Sequence, residues 1–533
     1  MLRSSMTTPT LPVRNDPLDA LPRLDRHKPK NGPVAHSKVS RKRAYVLIGV
    51  HLLIGAHIVQ WLATGTTLTP VEPSEAGYLL DEGKLNAGVI LFSVAILGTL
   101  VFGRWFCGWA CHLVALQDLS AWFLGRMGLK PRPIRSRLLV LAPFFVAFHM
   151  FFEGPLLRWW HGVPRPPIEA AFTTSELWER FPGPIMAVLQ FVVLGFFVVW
   201  WMGAKGFCTH GCPYGAFFSI ADRFAPMRIK VSDACNGCGH CTSVCTSNVR
   251  VHEEVAKHKQ IVDPGCMKCM DCVSVCPTNA LSFGLAMPKP FAVSQNRINA
   301  RADFTWPEEI ALGTIAWSAT MAFRGAWFSE HVPFLLAVGL GIVTAVFALL
   351  AWRLLRRREV TFQHTTLKKH GVSTGAGKFA LAASLAWTAL FVDCAGVRWH
   401  TMSANSIERT MAQWSQPEQR QKDLLAYDEA LSKAEGWELV QDPEVQRKRG
   451  LAQRDLAMLM QDPSRMASAE LHLRRALAVV PDSLGALVPL ADVLHVTGRD
   501  AEAVELLQRA EKAKPGNAEV QKRLQSLQNV SPR

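Results

Sequence analysis

Charged residues are absent from several long stretches of this 533-residue sequence, although they make up 19% of it. Such segregation excludes an entirely soluble protein, because a soluble fold spreads its charges over its whole surface. Hydrophobic residues make up 49% of the chain, and the formal net charge is +15. The basic residues cluster beside the apolar stretches, which indicates membrane topology rather than nucleic-acid binding. We therefore expect contact with membrane lipid and no nucleic-acid partner.

Cysteine is scarce outside one part of the chain. Twelve of the 13 cysteines lie between Cys107 and Cys276, and Cys394 stands alone. Their spacings suit metal ligation better than a disulfide framework, so we expect reduced thiols on the cytoplasmic side. Cys394, which has no nearby thiol in the sequence, is predicted to be structural. We also expect no cleavable signal peptide, because residues 1–43 are polar and basic and predict a disordered cytoplasmic tail.

Seven apolar stretches approach the length of about 20 residues that a spanning helix needs. They cover residues 44–64, 87–106, 137–157, 184–203, 309–328, 333–354 and 377–397. The third, fifth and seventh contain the charged residues Glu153, Arg324 and Asp393, so a buried core helix is the alternative for those three.

Basic residues at the ends of these stretches predict the orientation. Lys and Arg cluster at 37–43, 126–137 and 352–358, and cytoplasmic loops carry such clusters. With seven helices, the N-terminus and residues 204–308 are then cytoplasmic, and the region from about 398 is extracytoplasmic. The predicted fold is multi-domain and mainly α, with a polytopic membrane domain of about seven helices in a bacterial inner membrane. The expected parts are a tail at 1–43, a membrane domain at 44–224, a cysteine-rich domain at 225–300, three further membrane helices at 301–397 and a helical domain at 398–533.

The strongest motif is C-x₂-C-x₂-C-x₃-C, which occurs at 235–245 and again at 266–276. This is the pattern of bacterial two-cluster ferredoxins, in which the fourth thiolate of each [4Fe–4S] cluster comes from the other motif. Zinc sites also use cysteines two residues apart, but two complete motifs and Pro277 favour iron–sulfur clusters. The expected domain is α+β with two βαβ-like halves. Cluster 1 is assigned to Cys235, Cys238, Cys241 and Cys276, and cluster 2 to Cys245, Cys266, Cys269 and Cys272.

Two further cysteine pairs follow apolar stretches in a matching context. "GRWFCGWACHLVA" (103–115) holds Cys107 and Cys111, and "AKGFCTHGCPYGA" (204–216) holds Cys208 and Cys212. Residues i and i+4 share a face of an α-helix, so we expect each CxxxC pair to present two thiols side by side. The match between the two stretches indicates an internal duplication that brings both pairs to one membrane face.

The chemistry of these four cysteines stays open at this stage. They are candidates for a metal site or third cluster, for redox dithiols, or for simple packing. His112 and His210 are candidate additional ligands. Arg104 and Lys205 precede the pairs and either lower the pKa of the thiols or anchor lipid headgroups.

A 34-residue period marks the C-terminal region. Pro481 and Pro515 obey it, and apolar and small residues such as Leu473 and Leu507 repeat at the same offset. This resembles the tetratricopeptide repeat, with units at about 450–483 and 484–517 and a capping helix at 518–529. Stacked helix pairs of this kind present a concave surface for partner proteins, and a plain helical bundle is the alternative.

Residues 44–300 resemble the membrane polyferredoxins of the NapH, NosR and CcoG type. "FCGWAC", "CTHGCPYGA" and the ferredoxin cysteines carry the resemblance. The resemblance implies one-electron transfer between a quinol or cytoplasmic donor and a respiratory or periplasmic redox partner or metal centre. His112 stands where the family usually has Pro, which leaves ligation or a different turn as its role.

We therefore hypothesise an electron-transfer component of an oxidoreductase system, with no catalytic residue assigned. Its repeats would dock a partner protein, and a quinol site near His149, Glu153 and His161 is a further candidate. The alternatives are a copper reductase or assembly factor for a respiratory metalloenzyme, and a redox-sensing regulator.

Overall fold

The fold is taken from a computed structural model of the chain. It describes residues 34–129, 134–175, 177, 184–247, 249–292, 303–324, 332–363, 365–411 and 417–528. The chain divides into two compact units, Met1–Gly313 and Thr314–Arg533. The predicted tail lies largely outside the described residues, as do the tip of the 126–137 basic segment and the end of the fifth apolar stretch.

The first unit contains the helices that precede the ferredoxin motifs. They are α1 Lys38–Thr64, α2 Gly77–Glu82, α3 Ala87–Phe102, α4 Trp105–Trp109, α5 His112–Arg126, α6 Ala142–Phe151, α7 Glu153–Trp160, α8 Pro184–Gln190, α9 Val198–Met202, α10 Gly206–His210 and α11 Pro213–Phe224. A π-helical turn, Phe191–Phe197, joins α8 to α9. Helices α3, α6 and α11 pack through the rings of Phe92, Phe151 and Phe217, whose centroids lie 5.3–6.1 Å apart.

Four described helices are long and apolar enough to cross a membrane: Lys38–Thr64, Pro184–Met202, Phe334–Arg356 and Gly375–Arg409. The pair Leu139–Phe151 and Glu153–Trp160 makes a fifth if it is one span bent by 51°. The bend is expected, because Pro155 has no N–H for the Phe151 carbonyl. Helix α3 is apolar but has only 16 residues. The predicted count of about seven therefore stays a prediction.

Short strand pairs tie the connections between these helices together. Strand β1 Thr67–Leu68 pairs antiparallel with β4 Thr173–Thr174, and β2 Lys84–Leu85 pairs parallel with β3 Glu169–Ala170. The loop after α1 and the loop after α7 are thus joined.

The ferredoxin region is built on one antiparallel strand pair. Strand β5 Met227–Val231 pairs with β6 Leu281–Leu285, and a single bridge joins Lys230 to Gln260. Three short helices lie between the strands: α12 His240–Ser243, α13 Val251–His258 and α14 Asp271–Ser274. The expectation of two βαβ-like halves is met only in outline, because among the described residues the second strand of each half is reduced to that bridge or absent. Buried Ile229, Val255 and Ile261 form a small core that includes cysteines.

The second unit begins with most of one apolar helix, a second apolar helix and a small three-stranded sheet. The division between units falls within α15 Trp306–Phe323, which precedes α16 Phe334–Arg356. Strands β7 Val360–Phe362, β8 Thr365–Lys369 and β9 Val372–Ser373 then form an antiparallel sheet that leads into α17 Gly375–Met411.

Six helices complete the second unit. They are α18 Pro417–Glu435, α19 Pro443–Met460, α20 Pro463–Val479, α21 Leu484–Val496, α22 Asp500–Ala513 and α23 Ala518–Gln528. Repeat positions such as Leu473 and Leu507 are fully buried in one core. Gly450 allows α19 to approach α20 closely, since a Cβ there would lie 2.6 Å from Leu473 Cγ. Helices α19–α23 follow the predicted 34-residue period.

Candidate functional site

The first ferredoxin motif surrounds a cavity. Cys235, Cys238 and Cys241 line it together with Cys276 from the second motif, and its volume is about 230 Å³. Cys235 is exposed, so water reaches this group of thiols. The four residues are the set that the motif spacing assigns to cluster 1.

The second group of ferredoxin thiols is buried. Burial raises the pKa of Cys245, and the nearby thiols of Cys269 and Cys266 raise it further. The pKa of Cys272 is likewise raised by burial and then by Cys269, Cys266 and Cys245. The thiols assigned to cluster 2 therefore lie close enough to repel one another when ionised, a penalty that a bound cationic centre removes.

Each CxxxC pair contains a helix break. Helix α4 ends at Trp109, and Cys111 is the N-cap of α5 with an extended backbone (ψ 126°). The N–H of Cys111 donates to the carbonyl of Phe106, not to that of Cys107. The expectation that the two thiols share one helical face is therefore wrong, because the chain turns between them.

The second pair repeats this geometry. Helix α10 ends at His210, and Cys212 is the extended N-cap of α11 (ψ 117°) with its N–H on the Phe207 carbonyl. Pro213 occupies the first position of α11, where a missing N–H costs nothing. His112 occupies the same position in α5, so the idea that it produces a different turn is wrong.

A glycine with positive φ lets the chain fold back before each pair. Gly103 (φ 70°) follows α3, and Gly203 (φ 97°) follows α9. After Gly103 the indole of Trp105 lies against Gly98 of α3, where a Cβ would meet Trp105 Nε1 at 2.7 Å. The cysteines are thus folded back beside the helices that precede them, and the two halves share one design.

All four CxxxC thiols lie near one another. Burial and the neighbouring thiols of Cys212, Cys111 and Cys107 raise the pKa of Cys208 well above its usual value. Burial also raises the pKa of Cys111 and of Cys212 to about 12. Gln117 Nε2 donates to Cys208 Sγ at 2.8 Å, and Arg104 Nη2 lies 3.9 Å from Cys107 Sγ.

The loop of the second ferredoxin motif rests directly on the first CxxxC turn. A Cβ at Gly108 would lie 2.1 Å from the Met267 carbonyl oxygen. Trp109 Nε1 donates to the Lys268 carbonyl at 3.0 Å, and Arg104 Nη1 donates to the Pro264 carbonyl at 2.9 Å. The turn that carries Cys107 and the loop that carries Cys266 and Cys269 are therefore in direct contact.

Buried charges surround this junction. Asp222 is fully buried and accepts from the N–H of Arg104 at 3.2 Å, with Lys268 Nζ at 3.0 Å and Arg228 Nη1 at 3.6 Å. The five buried basic side chains here are Arg43, Arg104, Lys205, Arg228 and Lys268, and the three acidic ones nearby are Asp118, Asp222 and Asp271. The excess of positive charge fits an anionic group such as thiolate-ligated clusters.

Arg104 and Lys205 therefore do not anchor lipid headgroups. Only 3% of Arg104 and none of Lys205 is exposed. Nothing in the sequence distinguished them from interfacial residues, and nothing marked Gln117, Asp118 or Asp222, because these contacts join residues 87 or more positions apart in the chain.

The candidate histidines face polar groups of the scaffold. Burial lowers the pKa of His210 to about 4, and its ring bonds the backbone at Leu139 and Ile134. Burial lowers the pKa of His112, whose charged neighbours are Glu72 and His51. His149 is hydrogen-bonded to Glu153 at the bend between α6 and α7.

No group of three or more Cys, His, Asp or Glu side chains in the described part of the chain is arranged to hold one metal ion. Cys394 is buried with Ala319 and Phe323, which agrees with a structural role.

Family comparisons match three parts of the chain. A 4Fe-4S binding domain matches residues 87–130 and again 185–232, so that each match contains one CxxxC pair. A 4Fe-4S dicluster domain matches residues 227–277, and a tetratricopeptide repeat matches residues 462–527. None of the solved structures matches the chain.

Several curated proteins are similar to part of the chain. The methylamine utilization ferredoxin-type protein MauN of Methylobacillus flagellatus is 27% identical over 172 residues, which is 30% of this chain and 58% of MauN. The ferredoxin-type protein NapH of Haemophilus influenzae is 26% identical over 210 residues, 36% of this chain and 63% of that protein. NapH of Escherichia coli is 28% identical over 207 residues, 37% and 67% respectively.

The chain thus spans about three fifths of the length of MauN from Methylobacillus flagellatus and of NapH from Haemophilus influenzae. The shared names and domains indicate an iron–sulfur electron-transfer role. The chain is thus similar to NapH-type polyferredoxins over the part that carries its cysteine motifs, and it has a C-terminal tetratricopeptide-repeat region.

Proposed function

We propose that this chain is a bacterial inner-membrane protein that carries single electrons through three iron–sulfur sites. Two [4Fe–4S] clusters occupy the ferredoxin region, and a third lies at the CxxxC cysteines. The observation that carries the proposal is the convergence of four CxxxC thiols beside the cluster 2 thiols, among buried cations that exceed the nearby carboxylates.

The ferredoxin ligands follow from spacing and placement together. Cys235, Cys238, Cys241 and Cys276 line one cavity, and the thiols of Cys245, Cys266, Cys269 and Cys272 act on one another. When bound, such clusters supply one-electron carriage at potentials set by net charge, hydrogen bonds and exposure. The chain supplies the burial, the donors and the buried cations.

Several observations favour a third cluster over a single copper or zinc ion at the CxxxC cysteines. The 4Fe-4S binding domain family matches both stretches, and the thiols are not arranged around one ion. Gln117 and Arg104 approach the sulfurs as donors, which suits thiolates that carry charge. Redox dithiols are the remaining alternative, since the helix break within each pair frees the two thiols from one continuous helix.

The contacts between the ferredoxin loop and the CxxxC turn serve electron transfer. Gly108 against Met267, and Trp109 against Lys268, hold the first CxxxC turn and the loop of the second ferredoxin motif in direct contact. A fixed and short separation keeps two carriers in one geometry. We therefore assign these residues to the relay between the ferredoxin and the membrane domain.

The proposed topology places the ferredoxin in the cytoplasm and residues 398–533 outside it, with seven spans between 44 and 397. The domain limits proposed from the sequence are kept: 1–43, 44–224, 225–300, 301–397 and 398–533. Reporter fusions after residues 300 and 533 test this orientation. Opposite sides are expected, and equal sides would contradict the seven-span path.

The repeat region is proposed to dock a redox partner. Tetratricopeptide repeats present a surface that binds partner proteins. The relative MauN is named a ferredoxin-type protein of methylamine utilization, and a ferredoxin exchanges electrons with another redox carrier. The electron donor is proposed to be a quinol or a cytoplasmic carrier. Capture with residues 398–533 tests the docking, with a respiratory or periplasmic redox protein as the expected partner.

The cluster assignment is tested by iron and sulfide analysis with EPR on reduced protein. Fewer than about eight irons per chain would remove the two-cluster ferredoxin. A Cys107→Ser/Cys208→Ser variant is expected to keep both ferredoxin signals and lose the third. If this variant instead loses Cu(I) binding and no iron, the copper-reductase alternative replaces the third cluster.

A further inference from the structure

Lys205 holds a buried positive charge at the junction of the ferredoxin and the membrane domain. It lies between α9 and α10, three residues before Cys208, and none of its surface is exposed. Its Nζ has no hydrogen-bond partner among the described residues, and Asp118 Oδ1 lies 3.9 Å away. A buried ammonium group is costly unless a charge compensates it.

The compensating charge lies on the cluster 2 side. Asp118, which lies 3.9 Å from Lys205 Nζ, also accepts from Arg43 Nη2 at 3.0 Å, and Arg43 Nη1 donates to Asp271 at 2.7 Å. Asp271 stands between Cys269 and Cys272 in the chain and begins α14, so this series of ion pairs runs from Lys205 to the loop of the cluster 2 cysteines. Arg43 has both carboxylates as partners, whereas Lys205 has only the more distant contact with Asp118, so Lys205 is the less fully neutralised cation beside that loop.

Reduction of a [4Fe–4S] cluster adds one electron and therefore one negative charge. Burial penalises that charge, because the low-dielectric interior solvates it poorly. A fixed cation nearby stabilises the reduced form more than the oxidised form, and so raises the reduction potential. The cost of reducing a buried cluster is offset in this way.

Cluster 1 has a different environment. Cys235 is exposed and its cavity has a volume of about 230 Å³, so water and counterions solvate the added electron. Lys259 lines this cavity, but half of its side chain is exposed and its charge is screened. A change at Lys205 therefore reaches one ferredoxin cluster and not the other.

We propose that the positive charge of Lys205 raises the reduction potential of the cluster held by Cys245, Cys266, Cys269 and Cys272, and leaves that of cluster 1 unchanged. Lys205 is a positioning residue for electron transfer, since it ligates nothing. The inference rests on the two-cluster ferredoxin proposed above.

Redox titration of the full-length protein, followed by EPR, tests the inference. The samples are wild type, Lys205→Met, Lys205→Arg and the control Lys84→Met, which removes a half-exposed cation in β2, outside the ferredoxin region. Lys205→Met is expected to lower one ferredoxin midpoint by at least tenfold in the reduction equilibrium, or 59 mV for one electron. Lys205→Arg is expected to restore the midpoint, and Lys84→Met to shift neither.

Both midpoints unchanged in a fully loaded Lys205→Met sample would overturn the inference, as would an equal shift of both. The absence of two ferredoxin signals in wild type would instead remove the proposed function. If the Lys205→Met protein fails to assemble its clusters, the same redox titration of Asp118→Asn tests the inference instead. Loss of that carboxylate makes the site more positive, so the same midpoint should rise, and an unchanged or lowered midpoint contradicts the inference.

Discussion

Replacing Gly108 by alanine is expected to push the ferredoxin loop off the CxxxC turn. The new Cβ would lie 2.1 Å from the Met267 carbonyl oxygen, about 1.3 Å closer than ordinary van der Waals contact. Backbone lies on both sides of this contact, so no flexible side chain can move aside. Overpacking of this kind costs about 1–3 kcal/mol.

Gly125→Ala is the matched control. Gly125 lies within α5, and a Cβ there would meet nothing within 4 Å. Alanine in a helix stabilises by up to about 0.5–1 kcal/mol relative to glycine. The two variants should therefore differ by about 1.5–4 kcal/mol.

Thermal unfolding of the purified proteins in detergent, followed by tryptophan fluorescence, measures the difference. At about 2 °C per kcal/mol for a large unit, Gly108→Ala should melt at least about 3 °C below Gly125→Ala. Equal melting temperatures would show that the ferredoxin loop does not rest on Gly108, and the close junction described above would be wrong.

Four further predictions concern the junction and the repeat region. Asp222→Asn removes the carboxylate that pairs with buried Lys268 and Arg228 and accepts from the backbone N–H of Arg104, and it should cost about 3–5 kcal/mol. Much of this loss should be recovered in Asp222→Asn/Lys268→Met when the two melting curves are compared. Gln117→Leu removes the N–H donor on Cys208 and should lower the midpoint of the third cluster in an EPR titration, whereas unchanged midpoints of all clusters would contradict the assignment. Cys394→Ala should leave the iron content unchanged, and loss of iron would refute its structural role. Burial lowers the pKa of His472 to about 4, so the repeat region should become less stable as pH falls from about 6.5 to about 4, because the unfolded chain binds the proton more tightly. Glu438, whose pKa burial raises to about 7, acts in the opposite direction, so the difference in unfolding free energy between wild type and His472→Gln should be measured by urea unfolding across this pH range. A difference that does not change with pH would contradict this prediction.

The cysteine motifs and the repeat period could be predicted from the sequence because each depends on local spacing. The grouping of Cys276 with Cys235 follows from the two-cluster pattern, and the structure places both at one cavity. The period that aligns Leu473 with Leu507 likewise reflects positions that one core buries.

The shape of the CxxxC turns could not be predicted in the same way. A spacing of four residues is typical of one helical face, but the chain folds back after Gly103 and changes helix before Cys111. In the second copy Pro213 indicates this break, because proline favours the first position of a helix, whereas His112 at the same position of the first copy gives no such indication. Because the two stretches match in sequence, the helix break that Pro213 indicates in the second copy could also have been predicted for the first copy.

The charge network was also beyond reach of the sequence. Arg104 and Lys205 have the positions of interfacial anchors, and only the folded chain places Asp222 and Asp118 beside them. Such contacts are decided by how the ferredoxin packs on the helices, which no periodicity encodes.

The central claim is that the CxxxC cysteines hold a third cluster beneath the ferredoxin. The most direct measurement is the iron and acid-labile sulfide content per chain of the anaerobically purified, full-length protein. Three [4Fe–4S] clusters predict about twelve irons, falling to about eight in Cys107→Ser/Cys208→Ser. About eight irons in both proteins would contradict the claim.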